Sequence, residues 1–144
     1  MNKMILGLVA FMSLFCFVTF AVSEGEFRDS SNRIVGYLKS DGSVRDASNR
    51  EIGSIKSNGD VRDASNRTIG YIRDNGEIRD GSNRIIGYVK DDDVRDESNR
   101  IIGYVNSSGD VRDSSNRIIG YAKNIKKEHA AAFFFFFFYQ DKEE

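Results

Sequence analysis

Apolar and polar residues follow a short pattern along most of this chain, and the pattern returns about every 17 residues. One unit contains the run Thr-Ile-Gly-Tyr-Ile at 68–72 and the shorter run Val-Arg-Asp at 61–63, with polar residues between them. β-Branched and aromatic residues are enriched in strands, and 17 residues are too few for the helix pair of the common helical repeats. The pattern therefore predicts two short strands and two turns in each unit.

Polar hexapeptides of the form Arg-Asp-x-Ser-Asn-Arg separate the two strands of each unit. An Asp side chain can accept turn amides, and Asn tolerates a positive φ, so we expect Asp63, Ser65 and Asn66 to form a turn. A glycine-containing turn is expected at the opposite tip of each unit. The linker 90–93 lacks that glycine, so its tip should be irregular. The hexapeptide occurs intact at 28–33, 45–50, 62–67, 79–84, 95–100 and 112–117.

The longer strand is apolar on both faces, which indicates a layered or closed assembly. Alternation with a period of two predicts Ile69 and Tyr71 on one face and Gly70 and Ile72 on the other. The glycine marks a point where another backbone or a large ring comes close. Isolated hairpins are marginal in water, and the first and last copies resemble the middle ones rather than polar caps. We therefore predict an all-β, closed, pseudo-symmetric ring of hairpin repeats over residues 24–123, which leaves no open strand edge.

The N-terminal residues 1–23 have the pattern of a signal peptide. Lys3 precedes an uncharged apolar run, and Ala21-Val22-Ser23 is a small-x-small sequence suited to cleavage before Glu24. The alternative is an uncleaved membrane anchor, because an apolar run of this length can just cross a bilayer. With cleavage, the sequence predicts an exported protein, periplasmic or extracellular, without a transmembrane span.

The C-terminal segment 124–144 breaks the repeat and contains six consecutive phenylalanines, Phe133 to Phe138. Burying six phenyl side chains would contribute about 10 kcal/mol or more, whereas exposing them would favour aggregation. We expect the segment to pack on the repeat domain as a buried plug, either helix or strand. The alternative is an assembly surface shared between subunits.

Charge and composition limit the kinds of function that this chain can have. After loss of Lys3, the chain contains 20 Lys and Arg and 22 Asp and Glu. The resulting net charge of −2 gives no support for nucleic-acid binding. Cys16, the only cysteine, lies in the predicted signal. The hexapeptide places Arg where a calcium loop needs oxygen, and His129 is the only histidine. We therefore predict no enzyme activity, no cofactor and no metal site.

The repeated arginines and tyrosines leave two interpretations open. Arg62 and Arg67 could be satisfied by Asp63-type carboxylates, which would make them structural. Alternatively, repeated Arg, Asn and Tyr clefts could bind a glycan or an anionic envelope polymer through many weak contacts. In the second unit Ser54 replaces the tyrosine. The candidate ligand-binding residues are Tyr37, Tyr71, Tyr88, Tyr104 and Tyr121.

The repeat Val-Arg-Asp-x-Ser-Asn-Arg-x-Ile-Gly-Tyr, the export signal, and the closing run from Ala122-Lys123 through Phe138 together resemble the five-fold β-flower proteins. The resemblance implies hairpin petals about a pseudo-symmetry axis and transfers no activity and no catalytic residues. Six hexapeptides enclose five complete hairpins, so five and six petals both stay open. The expected function is a non-enzymatic structural or interaction scaffold; the alternative is a carbohydrate or envelope-polymer binding module. The expected partner is a glycan or an envelope protein.

Overall fold

A computed structural model describes residues 24–139 of the chain. The predicted signal peptide, 1–23, and the last five residues, 140–144, lie outside the described residues. The described part contains twelve short strands and one C-terminal helical segment. The strands are β1 (Gly25–Asp29), β2 (Ile34–Leu38), β3 (Ser43–Asp46), β4 (Glu51–Ile55), β5 (Asp60–Asp63), β6 (Thr68–Ile72), β7 (Glu77–Asp80), β8 (Ile85–Lys90), β9 (Asp93–Asp96), β10 (Ile101–Val105), β11 (Asp110–Asp113) and β12 (Ile118–Lys123).

The twelve strands form one closed antiparallel barrel in the order of the sequence, and β1 pairs with β12 to complete it. The predicted all-β closed ring is confirmed. In five hairpins, a strand with the Ile-Gly-Tyr pattern leads directly into the next strand with the Val-Arg-Asp pattern. A sixth pair of the same kind forms between β12 and β1, which are far apart in sequence. The ring therefore has six petals, although only five are continuous in sequence.

The two ends of the barrel carry different turns. At one end lie the six hexapeptide turns; at the other lie the glycine turns, of which Gly59 (φ 96°) is typical. The short linker is irregular as expected: Lys90 pairs directly with Asp93, and Asp91 takes the positive φ of 54°. A two-residue loop needs such a left-handed residue to match the strand twist.

A β-bulge interrupts the alternation of each Ile-Gly-Tyr strand. In β6 the partner of Val61 is Gly70 while that of Arg62 is Thr68, so Ile69 is the extra residue. Ile69 consequently packs against the core, whereas Tyr71 is paired on the outer surface between Asp60 and Arg79. The prediction that Ile69 and Tyr71 share a face was wrong, because an extra residue reverses the direction of the side chains that follow it.

The C-terminal segment runs through the barrel as a helix. It begins with α1 (Lys127–Ala131) and continues as a π-helix (Ala132–Phe137). Lys127 lies at the glycine-turn end, where its Nζ is 2.6 Å from Oδ1 of Asp92, and Tyr139 reaches the hexapeptide end. Small alanines allow the helix to enter the barrel; Ala130, Ala131 and Ala132 are fully buried.

Each phenylalanine of the run lies against the glycine of a different petal. A Cβ atom added at any of these six glycines would come within 3.0 Å of a phenyl carbon, so only glycine leaves room for the ring. Moving along the run by one residue moves the contact to the next petal of the barrel. The pairs are Phe133 with Gly36, Phe134 with Gly120, Phe135 with Gly103, Phe136 with Gly87, Phe137 with Gly70, and Phe138 with Gly53.

This one-to-one match explains why the helix is wider than an α-helix. Six residues complete one circuit of the ring, whereas an α-helix completes a turn in 3.6. The carbonyl of Phe133 accepts the amides of Phe138 at 3.3 Å and Tyr139 at 2.8 Å, five and six residues later. Such wide turns are rare, and the packing of six rings against six equivalent glycines stabilises this one.

Candidate functional site

The hexapeptide turns have a single repeated geometry. In the turn at 62–67, Oδ1 of Asp63 accepts the amides of Ser65 at 2.9 Å and Arg67 at 3.0 Å, and Asn66 has a φ of 68°. The predicted roles of Asp63, Ser65 and Asn66 as turn formers are confirmed. The same arrangement occurs in all six copies, so six nearly identical turns surround one end of the barrel.

The last arginine of each hexapeptide stands exposed on this end, which we call the hexapeptide rim. These six side chains are 77 to 80% exposed, although each forms an ion pair with the Asp four residues earlier. The backbone amide of Arg67, the amide of Ser65 and the Arg67 guanidinium together hold the pKa of Asp63 below its ordinary value. The rim arginines are Arg33, Arg50, Arg67, Arg84, Arg100 and Arg117.

The hexapeptide rim encloses a partly exposed aromatic floor. Phe135 to Phe138 and Tyr139 are only half-buried, in contrast to Phe133 and Phe134. A concave cavity of about 690 Å³ opens here, and Phe138, Tyr139 and Ile52 are among the residues that line it, beside Arg33 and Arg50. We call the rim and this floor together the rim bowl. It brings apolar rings and exposed guanidinium groups to one surface.

A second repeated surface runs around the outside of the barrel. Each tyrosine of the candidate set lies between an acidic residue of the preceding strand and an arginine of the following strand; Tyr88, for example, lies between Glu77 and Arg95. We call this outer band of tyrosine, arginine and carboxylate the girdle. The arginines of the girdle are Arg28, Arg45, Arg62, Arg79, Arg95 and Arg112.

Five of the six girdle arginines form ion pairs, and their side chains are only 25 to 30% exposed. Arg79 donates from Nε and Nη2 to Oε1 of Glu77 at 3.1 and 2.7 Å, and from Nη1 to the carbonyl of Asn83 at 2.8 Å. Arg62 pairs with Asp60, not with Asp63 as predicted, because residues two apart on a strand share a face. The prediction holds for Arg67, which pairs with Asp63 at 3.0 Å.

The five candidate tyrosines do not converge on one site. Adjacent petals place them two strands apart, roughly 10 Å, around the outside of a closed barrel. Two of the rings are already covered by cations that directly follow the strand: Lys39 Nζ lies 5.1 Å from the centre of Tyr37, and Arg73 Cζ lies 4.9 Å from that of Tyr71. All five tyrosines are partly exposed.

The only histidine lies in α1, at the glycine-turn end. Burial disfavours the charged ring, and the nearby Lys126 adds repulsion, so the pKa of His129 falls to about 4. Its Nδ1 atom is buried and has no hydrogen-bond partner among the described residues. The side chain borders a small cavity together with Lys56, Arg73 and Asp74.

Among residues 24–139, no group of three or more His, Cys, Asp or Glu side chains is arranged to hold a metal ion. The described helical segment is too short to span a bilayer.

The main feature that sequence reasoning missed is the pairing of phenylalanines with petal glycines. The chain does carry a signal for it, since the run contains six phenylalanines and the repeats contain six Ile-Gly or Val-Gly glycines. The girdle was also missed, because its members come from three neighbouring strands and their alignment depends on the register of the pairing.

These features define a class of protein: a closed ring of short β-hairpin repeats around an aromatic C-terminal plug. The family described as 5-fold beta-flower protein matches residues 24–138, and the chain belongs to this family. No curated protein and no solved structure matches it. The family description states five-fold symmetry, whereas this chain has six petals. The sixth petal forms because β1 pairs with β12.

Proposed function

We propose that this protein is an exported, non-enzymatic interaction scaffold whose partner-binding surface is the rim bowl. The observation that carries the proposal is the combination of half-buried aromatic rings with a ring of highly exposed arginines. Aromatic residues and arginine are the residue types enriched in protein interfaces and their hot spots. An envelope protein is the partner that this surface fits best.

Most of the remaining polar groups of the repeat have partners within the protein, which supports a structural role for them. The Asp, Ser and Asn of each hexapeptide satisfy the amides and the positive φ of their own turn. The girdle arginines are largely engaged with carboxylates and backbone carbonyls. Groups that are already paired in this way have little left to offer a substrate.

Site-specific photocrosslinking in cells that naturally contain the protein tests the proposal. A photoreactive residue at Ala47 probes the hexapeptide rim, and one at Asn58 probes the opposite end of the barrel. We expect protein adducts from position 47 that disappear in the double variant Arg33→Glu/Arg50→Glu. The reversal Lys56→Glu at the other end is the matched control. Equal adducts from both ends, or none from position 47, would refute the rim bowl as the interface.

A glycan-binding module is the second candidate, and the five partly exposed tyrosines of the girdle favour it. Thermal unfolding against glycans, peptidoglycan fragments and lipopolysaccharide cores tests it. A ligand at a hundred times its dissociation constant stabilises a one-site protein by about 2.7 kcal/mol. Tyr104→Ser is a well-matched variant because Ser54 occupies the same position in another petal. A stabilisation that this variant reduces would support glycan binding, and an unchanged one would oppose it.

A further inference from the structure

Two neighbouring strands, β3 and β4, depart from the repeat at three positions that the sheet brings together. Ser54 stands where five repeats have tyrosine, Ser43 where the others have Asp or Glu, and Glu51 where the others have Ile or Thr. The register places Ser43 opposite Ser54, and Ser54 opposite Arg62. We call this interruption the Ser54 gap. Both serines are almost fully buried by their neighbours, at 7% and 5% exposure.

The Ser54 gap changes the partners of the arginines beside it. Five girdle arginines form ion pairs at 2.7 to 3.5 Å with the acidic residue two positions earlier. Arg45 has Ser43 at that position, and among the described residues its guanidinium forms no ion pair. Its one hydrogen bond is from Nη1 to the carbonyl of Asn49 at 2.9 Å.

Arg62, on the other side of the gap, is also incompletely satisfied. Its Nη2 pairs with Asp60 at 3.3 Å and its Nη1 donates to the carbonyl of Asn66 at 3.2 Å, but its Nε is buried without a hydrogen-bond partner in the described part of the chain. By contrast, Nε of Arg28 and of Arg79 each donates to a Glu carboxylate at 3.1 Å. A buried N–H of a guanidinium without an acceptor is unfavourable, so the site gains free energy when an acceptor arrives.

A third cation, Lys56, follows β4 at the position where Lys39 and Arg73 cover tyrosine rings. It borders the small cavity beside His129 at the glycine-turn end. With Ser54 in place of the aromatic ring, Lys56 has no ring to cover, and residues 24–139 provide it with no ion pair. Three carboxylates lie nearby: Asp60 is already paired with Arg62, Glu51 is the cross-strand neighbour of Arg45, and Asp41 accepts the amide and the hydroxyl of Ser43 at 2.9 and 2.7 Å.

We propose that the Ser54 gap is a binding site for one anionic group, the carboxylate, sulfate or phosphate of a small ligand such as an acidic sugar. Arg45 and Arg62 supply the donors for a charge-assisted contact. The two serines are smaller than the tyrosine and the carboxylate that occupy these positions elsewhere in the girdle. The other five cross-strand pairs of the girdle have both that ring and that carboxylate, so the Ser43–Ser54 pair is the exception among the six. It lies on the girdle and is independent of the rim bowl.

Titration of the protein with sodium glucuronate, sulfate and phosphate tests the proposal, with glucose as the neutral control. Isothermal calorimetry gives the affinity, and the amide shifts of Ser54 and Arg62 in nuclear magnetic resonance spectra give the location. We expect saturable binding of anions, weakened by salt, and no binding of glucose. The order of affinity among the three anions identifies the acid group that the gap prefers.

Three variants make the test specific. Arg45→Gln should weaken anion binding about tenfold, because it removes charge-assisted hydrogen bonds. Arg95→Gln removes an arginine from a complete petal and should leave the affinity within about twofold, because separate sites act independently. Ser54→Tyr restores the residue found in five other petals, so it should fold normally and abolish binding.

Several results would overturn the proposal. These are the absence of saturable binding for all three anions, equal binding of glucose, an equal loss in Arg45→Gln and Arg95→Gln, and unchanged binding in Ser54→Tyr. Circular dichroism of each variant separates loss of the site from loss of the fold. If Arg45→Gln is unfolded, Ser54→Tyr alone decides the outcome.

Discussion

The contact between Phe136 and Gly87 provides a direct test of the packing described above. In the variant Gly87→Ala, the added Cβ would overlap the ring of Phe136 and lie 2.6 Å from the carbonyl oxygen of Arg95. Neither neighbour can move freely, since the ring is packed in the barrel and the carbonyl belongs to a paired strand. The substitution therefore forces extra volume into a filled core.

The expected magnitude follows from two opposing effects. Overpacking of a well-packed core destabilises by about 1 to 3 kcal/mol. Replacing glycine by alanine also restricts the unfolded chain, which stabilises by about 0.4 to 1 kcal/mol. The net expectation is a loss of about 1 to 2 kcal/mol in the free energy of unfolding. For a domain of this size that lowers Tm by about 4 to 8 °C.

Denaturant unfolding followed by circular dichroism and tyrosine fluorescence measures this loss. Gly81→Ala is the matched control: it lies in a hexapeptide turn of the same petal, at a position where two other repeats have Ala47 and Ala64. We expect this control to change stability by no more than about 0.5 kcal/mol. Gly87→Ala combined with Phe136→Ala should be less destabilising than the sum of the two single changes, because removal of the ring relieves most of the overlap. A Gly87→Ala protein as stable as the wild type, or strict additivity in the double variant, would refute the ring-on-glycine packing.

Three further predictions concern the plug, the turns and the histidine. Deletion of Phe136 should destabilise the protein more than Phe136→Ala, because it also moves Phe137 and Phe138 away from their glycines. Denaturant unfolding of both variants measures the difference, and an equal loss of unfolding free energy in the two would contradict the one-to-one match. Asn66→Val should lower the free energy of unfolding by about 1 to 2 kcal/mol, whereas Asn66→Gly should change it little, since only the β-branched residue is strained at a φ of 68°; equal stability of the two variants would contradict this. His129 is neutral in the folded state down to a pH of about 4, whereas its unfolded-state pKa is about 6.5, so stability should fall as pH decreases between these values. In His129→Gln, the free energy of unfolding should depend less steeply on pH across this range. An unchanged pH dependence would rule out the histidine as its cause.

The girdle and the rim show how far local sequence determines a role. The hexapeptide turn was predictable residue by residue, because Asp63 and Asn66 act on amides within four residues of themselves. The partner of Arg62 was not, because it depends on which side chains share a strand face. Alternation along the strand did not tell which face Tyr71 would occupy. The bulge then separated Ile69, which packs against the core, from Tyr71, which lies on the outer surface.

The sequence alone determined the architecture of this protein: its repeat length, its strand and turn residues, and its closure. These follow from short-range chemistry and from the absence of distinct end caps, both visible in the letters. The tertiary structure decided which groups meet across the ring. The match of six phenyl rings to six glycines, the π-helix that it requires and the Ser54 gap all depend on strand register and on the circumference of the barrel. Those quantities exist only once β1 and β12 have paired.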